Sequence, residues 1–228
     1  MPLRYKTANG QDTIFMHRGA SYGYDGFRGG ITMKLGCVIM ASGEGKRFGS
    51  NKMLADICGK PLIQRTIESV PKGFDVVVTT RWPQVAEICR ELRCACALHD
   101  GALRSESVRA GLTWGADRGW KGCLFLPGDQ PLVSSDSFEA LAGAFKANGG
   151  VAPVRLALNG EPASPVLFPA SLFPDLMGLK GKDGGSSLLR GRADVQLVEA
   201  RAYELWDVDT AKGQRRVSEH IAACYAPR

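Results

Sequence analysis

Long hydrophobic runs are absent from this chain of 228 residues. No apolar stretch approaches the ~20 residues that a helix needs to cross a bilayer. The N-terminus also lacks the hydrophobic core of a secretory signal. These absences argue against a membrane-spanning class, and they predict a cytoplasmic protein without a membrane partner.

Closely spaced metal ligands of the zinc type are scarce as well. The chain has seven cysteines, but only Cys94 and Cys96 stand close together, and no second cysteine cluster accompanies them. A single C-x-C is a poor zinc pattern, so we expect free thiols in a reducing compartment. The three histidines stand in no suggestive context, and the sequence assigns them no role.

A dense run of positive charge is also missing. The formal net charge is +6, from 29 lysines and arginines against 23 aspartates and glutamates. Such an excess is typical of a solvated surface or of a site for a small polyanion. Basic and aromatic residues are not interleaved as in nucleic-acid-binding proteins, so we expect no nucleic acid among the partners.

Residues 1–33 differ from the rest of the chain. They are rich in glycine and aromatic residues, show no clear periodicity and end at Met33. We predict that they form a flexible N-terminal extension. Residues 34–228 contain no internal repeat and no convincing linker, so we predict one domain there.

Within this domain, short apolar runs alternate with amphipathic segments of helical period. The predicted strands are LGCVIMA, FDVVVTT, GCLFLPGD, GGVAPVRL, SPVLFP, DVQLVEA and ELWDVDT, and the predicted helices are PLIQRTIESV, PQVAEICREL, SESVRAGLTWGAD and SSDSFEALAGAFKANG. Such alternation predicts an α/β protein with helices on both faces of a sheet. We therefore expect a Rossmann-like three-layer α/β/α sandwich with a mostly parallel sheet.

Three polar segments follow predicted strands. They are the glycine-rich loop after the first strand, PGDQPL after the third, and DVDT near the end of the chain. Ligands of open α/β sheets bind at the carboxyl ends of the strands. We therefore expect these three segments to build one site.

The first of these segments, GEGKRFG, combines glycines with cations. The spacing of Gly43, Gly45 and Gly49 fits neither the dinucleotide-binding pattern nor the P-loop pattern. The remaining functional hypothesis is a looser loop in which glycines approach a nucleoside triphosphate, while Arg47 and Lys52 neutralise its phosphates. A glycine-rich turn with solvent-facing cations is the alternative.

The stretch IMASGEGKRFGSNKMLADICGKPLIQRTI resembles the motif of nucleotidyltransferases that make activated sugars, cytidylyl-erythritols and molybdopterin dinucleotides. That motif reads L-A-A-G-x-x-x-R-x-G-x-x-K and is followed by G-K-P-L. PGDQPLV is similar to the G-D-Q-P-L motif of molybdenum cofactor cytidylyltransferases, and SPVLFPASLFPDLMGLKGKDGGSSLL and DVDT resemble later motifs of that subgroup. Together these motifs cover most of residues 34–212. They resemble those of the MobA-like NTP transferase family.

The resemblance implies transfer of a nucleotidyl group to a phosphorylated acceptor, with Mg²⁺ (or Mn²⁺) as the cofactor. Asp129 and Asp209 are expected to hold the metal, because Mg²⁺ prefers carboxylate and phosphate oxygens. Lys52 is expected at the α-phosphate and Arg47 at the departing phosphates. Asp207 alternates with Asp209 and is expected to face elsewhere if a strand continues through it.

The residues expected to bind the nucleotide lie at the start of the glycine loop, at the start of the third helix and beside Asp129. They are Ala41, Ser42, Gly43, Glu44, Gly45, Lys52, Ser107, Arg109 and Gly128, with Ser105 beside them. The resemblance implies A-G-G at the loop start in enzymes that use GTP and A-A-G in those that use CTP. The sequence ASG matches neither, and the bulk of serine mildly favours CTP.

Two later segments are expected to bind the acceptor. NGEPASPVLF is similar to the region lining the pterin pocket and contains Pro165, although the G-H-P of that region is missing here. The loop Gly181 to Leu189 contains Asp183 and Gly184 and is expected to close over the acceptor, with an ordinary surface loop as the alternative.

The preferred hypothesis is a cytidylyltransferase that converts molybdopterin to molybdopterin cytosine dinucleotide. A molybdenum hydroxylase would then receive the product. Three alternatives stay open. They are GTP as the donor, a methylerythritol phosphate or sugar phosphate as the acceptor, and a non-catalytic cofactor carrier or chaperone.

Overall fold

The computed structural model describes residues 3–7, 14–16, 33–43, 45 and 48–225. Its main sheet has nine strands in the order β2-β1-β11-β9-β10-β8-β3-β6-β7. These strands are β1 Leu3–Thr7, β2 Ile14–Met16, β3 Leu35–Met40, β6 Phe74–Thr80, β7 Ala95–Leu98, β8 Gly122–Pro127, β9 Val154–Leu158, β10 Glu161–Pro169 and β11 Gln196–Glu199. A separate hairpin pairs β4 Asp56–Ile57 with β5 Lys60–Pro61.

Strand directions confirm the predicted, mostly parallel sheet. Strands β8, β3, β6 and β7 pair in parallel, and β11 pairs in parallel with β9. Strand β10 is antiparallel to both of its neighbours, β8 and β9. Strand β1 pairs antiparallel with β11 and with β2. Both β1 and β2 fall within residues 1–33, and the division of the chain after residue 33 stays a prediction.

Helices cover both faces of this sheet. They are α1 Leu62–Ser69, α2 Pro83–Glu91, α3 Arg104–Gly115, α4 Ser135–Ala147, α5 Phe173–Met177 and α6 Ala211–Tyr225. Neighbouring residues of a strand point to opposite faces. Accordingly Ile39 packs with buried residues of α1, α2, α4 and α6, whereas Val38 packs with those of α3 and α5. The two cores confirm the α/β/α sandwich.

The prediction of a strand in ELWDVDT is wrong. Residues Ala202–Leu205 form a short 3-10 turn, and the chain continues to Thr210 without pairing in the sheet. The physical reason is that both edges of the preceding strand, β11, are taken by β9 and β1. The segment crosses the carboxyl end of the sheet instead, where the Val208 N–H donates to the Asp129 carbonyl at 3.1 Å.

Two further observations concern expectations drawn from composition. All seven cysteines are free, as predicted. Among the helices of the described residues, none combines the length and the apolar character required to cross a membrane.

Tight packing around Trp120 gives a stability prediction. A methyl group on Gly36 would lie 2.3 Å from the indole of Trp120, whose Nε1 donates to Asp75 at 2.9 Å. Because both cores are closely packed, we expect Gly36→Ala to lower the free energy of unfolding by about 1–3 kcal/mol. Urea denaturation measures this loss.

Gly178→Ala is the matched control, since its added methyl group would meet its nearest neighbour at an ordinary 3.4 Å. Its free energy of unfolding should stay within about 0.5 kcal/mol of that of the unchanged protein. Equal losses in the two variants would contradict the packing argument.

Candidate functional site

The glycine-rich loop begins where β3 ends, at the carboxyl edge of the sheet. Gly45 has φ +59°, and a Cβ there would lie 2.4 Å from the Ser50 carbonyl oxygen. The N–H groups of Phe48 and Gly49 both donate to the Gly45 carbonyl, at 2.8 and 3.1 Å. Only glycine tolerates so tight a turn without strain. The glycine at position 45 therefore follows from the geometry of the turn.

Three cationic or acidic positions of this loop, Glu44, Lys46 and Arg47, lie outside the described residues. The predicted roles of Glu44 in nucleotide binding and of Arg47 in catalysis stay predictions.

Lys52 is the centre of the site. Its Nζ donates to Oδ2 of Asp129 and to Oδ1 of Asp209, both at 2.5 Å. The three side chains are 11%, 18% and 25% exposed, so the cluster is largely shielded from water. The structure thus brings together the predicted lysine and both predicted carboxylates.

Two backbone contacts place the carboxylates. The Gly128 N–H donates to the Met40 carbonyl at 3.0 Å, which fixes the turn after β8 against the end of β3. Gly128 is needed there, because a Cβ would lie 2.9 Å from that carbonyl oxygen. The contact from Val208 N–H to the Asp129 carbonyl then holds the segment carrying Asp209 beside Asp129.

The electrostatics of the cluster keep Lys52 charged. Burial alone would lower the pKa of Lys52, but attraction and hydrogen bonds from Asp129 and Asp209 outweigh it and raise the pKa above 10.5. Asp207 lies nearby, and burial together with repulsion from Asp209 and Asp129 raises the pKa of its carboxyl group. The surplus of negative charge at this edge fits a cationic ligand.

Two observations bear on a metal at this position. Within the described part of the chain, no group of three or more histidine, cysteine, aspartate or glutamate side chains could hold an ion. Two residues adjacent in sequence to Lys52 and Asp129, however, carry buried polar atoms without a hydrogen-bond partner, the donor Asn51 Nδ2 and the acceptor Gln130 Oε1. Orphaned buried polar atoms are rare in folded proteins. Two converging carboxylates suit a divalent ion whose other ligands are phosphate oxygens and water, and the orphaned donor of Asn51 suits a phosphate oxygen.

A second polar cluster lies beside the loop start and includes a residue that sequence reasoning missed. His99 Nε2 is 2.8 Å from Ser42 Oγ and 3.3 Å from Ser107 Oγ, and Ser107 Oγ donates to Ser42 Oγ at 3.0 Å. Ser42 and Ser107 are predicted nucleotide-binding residues, and Ala41 beside them is fully buried. His99 directly follows β7, a strand that we did not predict. A strand end was the signal that located Asp129, and it would have located His99 too.

The third part of the site is the loop predicted to contact the acceptor. Arg109 Nη1 donates to the Leu179 carbonyl at 2.6 Å, and Ser105 Oγ donates to the Gly181 carbonyl at 2.9 Å. Arg109 therefore holds the segment just before this loop, and its predicted contact with the nucleobase stays a prediction. Gly184 lies against the side chain of Arg104.

Asp183 shapes the same loop from within. Its Oδ1 accepts from the Gly185 N–H at 2.8 Å and lies within 3.5 Å of the Ser186 hydroxyl and the Ser187 N–H. Burial alone would raise the pKa of Asp183, but these hydrogen bonds lower it below the ordinary value. Asp183 thus orders the backbone that leads into the short 3-10 turn Ser186–Leu189, and its predicted acceptor contact stays a prediction.

Pro165 is buried on β10, where the pairing with β9 shifts register between Pro162 and Val166. Because β10 runs antiparallel to β8, with Val166 opposite Phe125, this irregular start of β10 lies at the same edge as Asp129. The geometry is compatible with the predicted acceptor contact, which stays a prediction.

A mostly parallel α/β/α sandwich with a glycine loop, a lysine and two carboxylates at its carboxyl edge defines a phosphate-handling, nucleotide-binding class of protein. The chain belongs to the MobA-like NTP transferase domain family, whose model matches residues 37–199.

The chain is similar to several curated proteins. It is 30% identical over 137 residues to 2-C-methyl-D-erythritol 4-phosphate cytidylyltransferase of Dehalococcoides mccartyi, which covers 55% of this chain and 60% of that relative. It is 26% identical over 196 residues to the purine catabolism protein PucB of Bacillus subtilis, and the match covers 76% of this chain and 90% of PucB. It is 28% identical over 117 residues to molybdenum cofactor guanylyltransferase of Rhodobacter capsulatus, and the match covers 51% of this chain and 62% of that relative.

Solved structures agree in fold. The Mycobacterium sp. strain JC1 homologue of Rv0371c has a TM-score of 0.71 at 24% identity, covering 83% of this chain and 98% of that chain. Rv0371c of Mycobacterium tuberculosis in complex with manganese has a TM-score of 0.64 at 21% identity, and the match covers 82% of this chain and 99% of that chain.

The raised pKa of Lys52 gives a pH-dependent prediction. Because the folded-state pKa exceeds 10.5, the contacts of Lys52 stabilise the fold fully below pH 10.5 and are lost as the pH rises through the folded-state value. We expect Lys52→Gln to lower the free energy of unfolding by about 1–3 kcal/mol at neutral pH. Urea denaturation at increasing pH should show this difference shrinking in the alkaline range, and a constant difference would contradict the assignment.

Proposed function

We propose that this protein transfers CMP from CTP to molybdopterin, which forms molybdopterin cytosine dinucleotide and releases pyrophosphate. The observation that supports nucleotidyl transfer is the convergence of Asp129 and Asp209 on Lys52 at the carboxyl edge of the sheet. A site that merely held a nucleotide would not require two carboxylates where the phosphates must lie. Membership of the MobA-like NTP transferase family supports the same reaction class.

The reaction is an in-line displacement at the α-phosphorus. A terminal phosphate oxygen of the acceptor bonds to the α-phosphorus, while the bond from that phosphorus to the bridging oxygen breaks. Pyrophosphate leaves with the electron pair, and no covalent enzyme intermediate is required. Catalysis then rests on positioning and on neutralising negative charge.

Different residues of this chain are assigned to positioning and to charge neutralisation. The ammonium group of Lys52, kept protonated by its raised pKa, neutralises charge on the α-phosphate. The glycine loop lets backbone N–H groups approach the phosphates closely. Arg47 is assigned to the departing β- and γ-phosphates, where a guanidinium binds phosphate oxygens in pairs.

Asp129 and Asp209 are assigned to a divalent cation, Mg²⁺ or Mn²⁺. The ion would neutralise charge on the phosphates and orient them. The hard carboxylate oxygens and the orphaned Gln130 Oε1 fit such an ion, whereas the orphaned Asn51 Nδ2 is a donor and fits a phosphate oxygen. The family commonly uses a divalent metal, and the manganese complex of Rv0371c is consistent with this assignment.

The proposal that CTP is the nucleotide donor rests on Ser42, at the start of the glycine loop, and on one similar protein. Ser42 has a side chain nearer in bulk to alanine than to glycine, which favours the smaller base. The similarity to a cytidylyltransferase at 30% identity supports the same donor. GTP is the second candidate, because a molybdenum cofactor guanylyltransferase is also similar.

The proposal that molybdopterin is the acceptor rests on the sequence motifs that follow the glycine loop. PGDQPLV and the loop at residues 181–189 resemble the subgroup that acts on molybdopterin, and the Ser105 hydroxyl of α3 donates to the Gly181 carbonyl at the start of that loop. Methylerythritol phosphate is the second candidate, since the first cytidylyltransferase relative is named for it. A product of the pterin reaction would pass to a molybdenum hydroxylase.

Pyrophosphate release tests the reaction. We expect release with CTP, Mg²⁺ and molybdopterin together, and little with GTP, ATP or UTP or without the acceptor. Replacing molybdopterin by methylerythritol phosphate tests the second acceptor in the same assay. Binding of CTP without release on any acceptor tried would favour a cofactor carrier and contradict the proposed transfer.

Asp129→Asn tests the metal assignment. The substitution keeps the size of the side chain but removes its charge, so we expect turnover to fall at least 100-fold, on the order of the loss of one charged group at the reacting centre. Circular dichroism and thermal melting should show an intact fold. Asp136→Asn, an exposed carboxylate in the first turn of α4, is the control and should keep near-normal turnover. Near-normal turnover of Asp129→Asn would refute the assignment.

A further inference from the structure

Three of the seven cysteines meet where α2 ends and β7 begins. Cys89 lies in the last turn of α2, Cys94 directly precedes β7, and Cys96 lies within that strand. Neighbouring residues of a strand point to opposite faces. Cys94 and Cys96 accordingly pack against the core that contains Cys89, whereas Ala95 and Ala97 pack against the other core. All three thiols therefore lie on the side of the sheet that α2 covers.

The end of α2 brings Cys89 and Cys94 together. Arg93 adopts φ +54°, its N–H donates to the Arg90 carbonyl at 3.1 Å, and the Cys94 N–H donates to the Cys89 carbonyl at 2.9 Å. Two such hydrogen bonds around a left-handed residue form the Schellman motif. In that motif the side chains of the two residues joined by the longer-range hydrogen bond frequently contact each other. Here both of those residues are cysteines.

The backbone geometry suits a disulfide between these two cysteines, which are reduced in this structure. The path from the Cys89 Cα atom to its carbonyl oxygen, across the 2.9 Å hydrogen bond and on to the Cys94 Cα atom is at most about 6.8 Å long. A disulfide joins Cα atoms that are roughly 4.4–6.8 Å apart. The Cys89 thiol is also in hydrogen-bonding contact with the thiols of Cys94 and Cys96. Joining Cys89 to Cys94 therefore requires no large movement of the backbone.

The thiols of the cluster differ in exposure. Cys89 is fully buried, whereas Cys94 and Cys96 are partly exposed at β7, the last strand in the sheet order. A small oxidant dissolved in water therefore reaches Cys94 before it reaches Cys89. Redox-active cysteines often combine such an accessible thiol with a neighbouring thiol that can pair with it.

Hydrogen bonding within the cluster favours the reactive form of Cys94. The contact with Cys89 lowers the pKa of Cys94, although burial opposes the shift, and it lowers the pKa of Cys96 in the same way. Contacts with both neighbours, together with burial, raise the pKa of Cys89. The thiolate is the nucleophilic form of cysteine. Within the pair, Cys94 is therefore the nucleophile and Cys89 the thiol that resolves its oxidised form.

We infer that Cys89 and Cys94 form a dithiol site that a hydroperoxide converts to a disulfide. The Cys94 sulfur attacks a peroxide oxygen and becomes a sulfenic acid, while the O–O bond breaks and the thiol proton leaves with the second oxygen as water or an alcohol. The Cys89 sulfur then attacks the Cys94 sulfur, and the S–O bond breaks. The hydroxyl group leaves with the Cys89 proton as water. The two thiols lose two electrons to the peroxide, and a thiol reductant reverses the oxidation.

The other four cysteines are separate from this site. Cys37 and Cys123 are fully buried, and burial raises the pKa of each, so their thiols stay protonated. Cys58 and Cys224 are exposed. Exposed thiols form disulfides between molecules, so both residues are replaced in the test by Cys58→Ser and Cys224→Ser.

The dithiol site lies at the opposite edge of the sheet from the candidate functional site. Strands β3, β6, β7 and β8 run parallel, Asp129 follows the end of β8, and Cys94 precedes the start of β7. The inference therefore goes beyond the proposed nucleotidyl transfer, and its test uses neither a nucleotide nor an acceptor.

Peptide mapping after oxidation tests this inference. The full chain with the two serine substitutions is treated with equimolar hydrogen peroxide, its remaining thiols are alkylated, and trypsin is added without a reductant. Cleavage after Arg90 and Arg93 separates the peptide of Cys89 from the peptide that contains both Cys94 and Cys96. We expect the two peptides to be joined, two hydrogens lighter than their sum, with Cys96 alkylated. Dithiothreitol added before alkylation should abolish the joined species.

Two variants separate the proposed pair from its neighbour. Cys94→Ser removes the attacking sulfur and should abolish the joined peptides, whereas Cys96→Ser, on the same face of the strand, is the matched control and should keep them. Joining through Cys96, a disulfide within the second peptide, or no joined peptides at all would each overturn the inference. A thermal melt identifies loss of fold in either variant, and the mapping of the protein with both cysteines identifies the joined sulfur without them.

Discussion

The contact of one ammonium group with two carboxylates organises this protein. Lys52, Asp129 and Asp209 come from a short turn after the glycine loop, from the end of β8 and from an unpaired segment before α6. Exposed ion pairs contribute little to stability, but these side chains are mostly shielded, and each carboxylate would repel the other if the lysine were removed. Positive charge is therefore required between the carboxylates, whether from the lysine or from a ligand ion.

Much of the fold could be predicted from the sequence. Strands β3, β6 and β8 are short apolar runs beside turn residues, and such runs are buried strands in parallel sheets. The predicted helix SSDSFEALAGAFKANG begins at Ser134, and the Ser134 hydroxyl indeed accepts from the Ser137 N–H at 3.2 Å, as at the start of a helix. The sequence also predicts the carboxylates of Asp129 and Asp209 as site residues, because both lie in polar motifs that resemble those of one family.

Other features could not be read from local pattern. Strand β7 is only four residues long and reads ACAL, so it lacks both the length and the β-branched residues that identify a strand. Missing it removed the strand end that places His99. The DVDT segment carries the alternation of a strand, but whether a strand forms depends on a free sheet edge, which is a property of the whole topology. Contacts such as Arg109 with Leu179 join residues that are far apart in the chain.

Helix α3 has a consequence for how specificity can evolve. Ser105 and Arg109 hold the segment at residues 179–181, while Ser107, between them in sequence, belongs to the polar cluster with His99. One helical turn thus supports two neighbouring regions of the protein. A substitution that shifts this turn therefore moves the polar cluster and the segment at residues 179–181 together, so the two regions are not independent modules. A change confined to one of the two regions then requires substitutions in its own loop segment, with the turn of α3 left as it is.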